Sequence, residues 1–138
     1  MYRIRTTPFA QHSKAGSSFP SHGEGRLSQS AGVARVEALA RAGFTSERLG
    51  LPERAIGLYR KALEELPGFT PPSRWELAVP VKHNLALLLA ARGLLCEAVI
   101  QLEGALALLS AEDSLEASAT HKRVAWTLDE LSKVESKD

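Results

Sequence analysis

The stretch NLALLLAARGLLCEAVIQLEGALALL, Asn84 to Leu109, decides the fold. Before the Arg92-Gly93 pair, Leu85, Leu88, Leu89 and Arg92 fall three or four residues apart, which predicts one helix face ending at a turn. After the pair, Leu95, Ala98, Val99, Leu102, Ala105, Leu106 and Leu109 repeat that period. Gly93 is the expected stop, because glycine reaches positive φ without a Cβ clash. Ala86, Ala98 and Ala105 are small residues on the two apolar faces, where they let helix backbones come close. The stretch therefore reads as an αα-hairpin. A single hairpin cannot bury both its faces, so it needs neighbours.

Working outward, the chain supplies them on both sides. Upstream, a helical period is clear from Val33 to Phe44, through Val36, Leu39, Ala40 and Gly43. Gly50-Leu51-Pro52 breaks it, and Pro52 suits the first turn of a second helix. Ala55, Leu58, Tyr59, Ala62, Leu63 and Leu66 then share one side, up to Pro67-Gly68. Ser73 and Glu76 fit a capping box, which predicts a helix start at Arg74. Pro80 should kink that helix or mark a second start. Downstream, Ser110 to Ser114 reads as a loop. A last helix is expected from Leu115 to Lys133, with Val124, Leu128 and Leu131 as core residues. The count is five helices and no strand, an all-α fold.

At 138 residues the chain has room for one modest domain, expected over 27–134 with a frayed end at 135–138. The formal net charge of +1 gives no drive toward nucleic acid or lipid headgroups. The charge is uneven. Residues 1–26 carry four basic residues against one acidic, +3, which leaves 13 basic and 15 acidic, −2, in the rest. That tail shows no helical period and contains Pro8 and Pro20, so disorder is expected. Its arginines, serines and scarcity of acid also suit a mitochondrial targeting segment, against a default cytoplasmic location. Cys96 is the single cysteine, which excludes an internal disulfide and suits a reducing compartment. No apolar run reaches membrane-spanning length.

Two segments of the chain repeat. Ala55-x3-Tyr59-x2-Ala62 lines up with Ala98-x3-Leu102-x2-Ala105, and Gly50 and Gly93 stand five residues before each. This resembles the tetratricopeptide repeat, whose pattern is W-x2-L-G-x2-Y, then A-x3-F, then P. Here it is carried by Leu39-x2-Ala42-Gly43-x2-Ser46, Ala55-x3-Tyr59 and Pro67, and again by Lys82-x2-Leu85-Ala86-x2-Leu89 and Ala98-x3-Leu102. Val124-Ala125-x2-Leu128 is a partial third unit. The 43-residue offset exceeds the family's usual 34, and the bulky first residue and the tyrosine are absent. An unrelated five-helix bundle is the alternative.

No catalytic, cofactor or metal constellation stands out, and no enzymatic role is expected. His12 and His22 lie in the tail. His83 and His121 lack a carboxylate at a supporting spacing for a metal. Cys96 reads as a small buried hydrophobe. Gly23-Glu24-Gly25 follows no strand and is no phosphate loop. The resemblance implies a stack of hairpins with a concave groove that binds peptides. One branch of that family clamps the C-terminal carboxylate of heat-shock chaperones with lysines, asparagines and an arginine. Asn84 and Arg123 match two clamp places, whereas Ala40, Phe44 and Ala119 do not, so chaperone-tail binding is not expected. What remains is a partly basic groove of Arg41, His83, Asn84, Lys122 and Arg123, with Lys122 and His83 on its rim. The expected function is that of an adaptor binding a protein partner, peptide or helix, with an acidic group. A small subunit of a larger assembly and a self-associating homo-oligomer are the alternatives.

Overall fold

The computed structural model describes residues 24–66 and 75–136, and among them the architecture is all-α, with five helices and no strand. The helices are α1 (Glu24–Arg48), α2 (Pro52–Glu65), α3 (Trp75–Ala91), α4 (Leu95–Ser110) and α5 (Leu115–Ser136). They fall into two compact units, one holding the α1–α2 hairpin and the other α3, α4 and α5. The expected disorder of residues 1–23 and the Ser73 cap with its start at Arg74 lie outside the described residues.

Both hairpins turn in the same way. Gly50 and Gly93 adopt φ of 78° and 83°, the left-handed conformation that an L-residue avoids. The amide after each glycine donates back five residues, Leu51 to the Ser46 carbonyl at 2.8 Å and Leu94 to the Leu89 carbonyl at 2.9 Å. The glycine amides donate to Glu47 and Ala90. This is the Schellman closure of a helix end. Ala55 and Ala98 then donate to the Leu51 and Leu94 carbonyls, starting the return helices. No side chain caps either start.

The buried positions repeat at the same 43-residue offset. Val36 and Val79, Gly43 and Ala86, Ala55 and Ala98, Tyr59 and Leu102, and Ala62 and Ala105 are all buried. In the first hairpin Gly43 lets the Tyr59 ring against α1. A Cβ there would stand 2.7 Å from Tyr59 Cε1. The Tyr59 hydroxyl donates to Glu47 Oε1 at 2.9 Å, which satisfies the buried phenol. Arg35 Nε, midway along α1, reaches both Glu65 oxygens, at 2.7 and 3.0 Å, and ties α1 to the last residue of α2.

Several sequence expectations need correction. Arg92 is exposed, so the buried stripe of α3 ends at Leu89, where the Schellman turn begins. Cys96 is exposed rather than buried, because it falls on the outer side of the first turn of α4. Pro80 does not divide α3, which is continuous through it. The helix accepts one lost amide donor where packing of its apolar side holds it. α1 begins at Glu24 rather than 27, since a lone glycine such as Gly25 weakens a helix without stopping it. α5 runs to Ser136, past the expected end at Lys133. In α5 the buried set is Ala117, Val124, Thr127 and Leu131, while Leu128 is half-buried.

Candidate functional site

The three-helix unit holds four of the five residues that the sequence singles out. They separate into a buried pair and an exposed pair. His83 and Asn84 on α3 are each only 1% exposed, so neither lines an open groove or its rim. Both lie on a stretch of α3 that is buried around its whole circumference, with Val81, Leu85 and Ala86 buried beside them. Lys122 and Arg123 on α5 are exposed. Arg41 is exposed on α1, in the other unit.

His83 belongs to a buried polar chain between α3 and α5. Its Nε2 lies 2.9 Å from Thr127 Oγ1, and the Thr127 hydroxyl lies 3.2 Å from the Arg123 carbonyl. According to the imidazole tautomer, Oγ1 either accepts from the Nε2–H while its own proton goes to the carbonyl, or turns that proton to Nε2. Burial pushes the imidazole down to about 4, and the Arg123 guanidinium pushes the same way. The group is therefore a structural pin rather than a cation available to a ligand. The sequence hid it, because its partner Thr127 stands 44 residues away.

Next to the pin, Lys82 lies over α4, with its Nζ 3.4 Å from where a Cβ on Gly104 would be. Burial lowers its pKa. Gln101 Oε1, one helical turn from Gly104, is buried without a hydrogen-bond partner. Among the described residues, no group of three or more His, Cys, Asp or Glu is arranged to hold a metal ion. No described helix is long and apolar enough to cross a membrane.

The outer face of α5 is the accessible surface with recognisable chemistry. At about 3.6 residues per turn, Leu115, Ala119, Lys122, Trp126, Asp129 and Lys133 fall opposite the buried Ala117–Val124–Thr127–Leu131 stripe. All six are exposed, Trp126 at 49% and Leu115 at 90%. Arg123 flanks the row. An indole with two cations one turn away offers an apolar plate, a donor N–H and positive charge together. Farther along the helix, Lys133 pairs with Glu130 at 3.4 Å and Asp129 at 3.5 Å, contacts that raise the Lys133 pKa. Trp126 escapes an apolar-stripe reading, since it follows the period of the exposed row rather than of the core. Its pairing with Lys122 was the available signal.

No family model matches the chain, and neither a curated protein nor a solved structure matches it.

Proposed function

We propose that this protein is a non-enzymatic binding module of the tetratricopeptide-like kind, and that it captures an acidic segment of a protein partner on the outer face of α5. The observation that carries the reading is the grouping of exposed Trp126 with Lys122 and Arg123 on one side of α5. Large aromatics and arginines supply most of the energy in protein interfaces, and a half-exposed tryptophan on a helix leaves apolar area in water. The repeated hairpin turns at Gly50 and Gly93 support the repeat-type scaffold. The partner suited to this face carries one or two carboxylates beside an apolar side chain, in a helix or an extended peptide.

Selection from a peptide-display library tests this. Peptides recovered by the protein should be acidic and carry an aromatic or aliphatic residue. Arg123→Ala should weaken them about tenfold, as loss of a charge-assisted bond of about 1.5 kcal/mol implies. Trp126→Ala should weaken them comparably, and raised salt should weaken the parent. Recovery of neutral or basic peptides, with affinity indifferent to Arg123→Ala and Trp126→Ala, would contradict the assignment.

A further inference from the structure

The outer face of α5 is charged in a pattern that complements itself. Trp126 lies at the middle of the Leu115–Ser136 helix. Three and four residues before it stand Arg123 and Lys122; three and four residues after it stand Asp129 and Glu130. An antiparallel copy of α5, related by a two-fold axis through Trp126, brings Lys122 and Arg123 of one chain opposite Glu130 and Asp129 of the other, and the reverse. We propose that the occupant of this face is a second copy of this chain, in a two-fold α5–α5 dimer with the two Trp126 indoles stacked at the axis. The proposal rests on the reading of the α5 outer face as the binding surface and names its partner.

Three further observations fit. Lys122, Arg123, Trp126 and Asp129 are exposed, so they are open to a second chain. Farther out the exposed Ala119 comes opposite the exposed Lys133, and the small alanine leaves room for the lysine stem. Val134 is 46% exposed and would lose apolar area to water on pairing. An isologous two-fold contact of this kind closes on itself and does not propagate into fibres. A single face of a helix about 33 Å long is smaller than the usual stable interface, so the dimer is a weak one in exchange with monomer. Lys133 is shared by Asp129 and Glu130 within one chain, at 3.5 and 3.4 Å, so one cation faces two carboxylates and the negative charge left over is what the partner's cations meet.

Sedimentation equilibrium from about 1 to 300 µM, with light scattering as a check, tests the proposal. The parent should pass from monomer to dimer, and added salt should shift the midpoint upward. The double variant Lys122→Glu with Arg123→Glu should dimerise at least tenfold more weakly. So should Asp129→Lys with Glu130→Lys. An equimolar mixture of the two variants should recover a dimer, because each then presents the charges the other lacks. That recovery guards against misreading a folding defect as loss of contact, and circular dichroism of each variant should match the parent. A parent that stays monomeric throughout overturns the proposal while leaving acidic-peptide binding standing. A dimer that is indifferent to both charge swaps overturns it as well, by placing the contact on another face.

Discussion

Single residues carry the packing of each unit, and two of them make sharp predictions. Gly43 faces the buried Tyr59 ring, with 2.7 and 2.8 Å to Cε1 and Cδ1 for any added Cβ. Alanine is a better helix former than glycine by about 1 kcal/mol. Overpacking against a ring held by Glu47 costs about 1–3 kcal/mol, so the clash wins. Gly43→Ala should lower the denaturation midpoint. In the second hairpin the equivalent positions are Ala86 and Leu102, so Tyr59→Leu should relieve part of that loss, measured as non-additivity in a double-mutant cycle. Equal and additive losses would show that the two positions do not touch.

His83 makes the second. Its folded-state pKa of about 4 lies below the ordinary histidine value near 6.5, so the unfolded chain binds the proton more readily. The stability it contributes is therefore complete above about pH 6.5 and falls as pH drops toward 4, by about 3 kcal/mol across the window. His83→Gln should flatten that part of the pH–stability profile in chemical denaturation. The spacing of Ala55, Tyr59, Ala98 and Leu102 disclosed their burial. The role of His83 was illegible, because a histidine at a stripe position reads the same whether it pins a threonine across the unit or lines a groove. The burial of Asn84 was hidden for the same reason, and the exposure of Cys96 because one residue in a helical turn faces either way until the turn geometry is set.

At the level of elements, the turns were the most legible part of the chain. A glycine five residues before the alanine that packs the return helix appears twice, and both glycines take the left-handed conformation. Neither has a neighbour within 4 Å of an added Cβ, so any cost of substitution comes from the backbone alone. Gly50→Ala and Gly93→Ala should each destabilise by about 1–2 kcal/mol. Gly57, by contrast, lies inside α2 with open space around it and an ordinary helical backbone. Gly57→Ala should stabilise by about 0.5–1 kcal/mol. Thermal melts of the three variants should split in sign. Three losses of equal size would mean that the glycines serve the same role. The ends of α1 and α5 were less legible, since nothing in the sequence between 24 and 27, or after Lys133, forbids a helix or demands one.

At the scale of the whole molecule, the near-neutral charge hid a local arrangement. The surplus of cation at Lys122 and Arg123 is offset within one helix by Asp129 and Glu130, so a sum over the chain cannot reveal it. Binding on the outer face of α5 has a reporter and a control within the protein itself. Trp126 is half-exposed on that face, whereas Trp75 on α3 is 8% exposed. The most direct measurement is a heteronuclear spectrum of the two indole N–H groups during titration with a selected acidic peptide. The Trp126 indole resonance should shift with the binding curve, and the Trp75 resonance should stay in place. A saturating peptide that leaves Trp126 unmoved, or moves Trp75 alone, would contradict binding on that face.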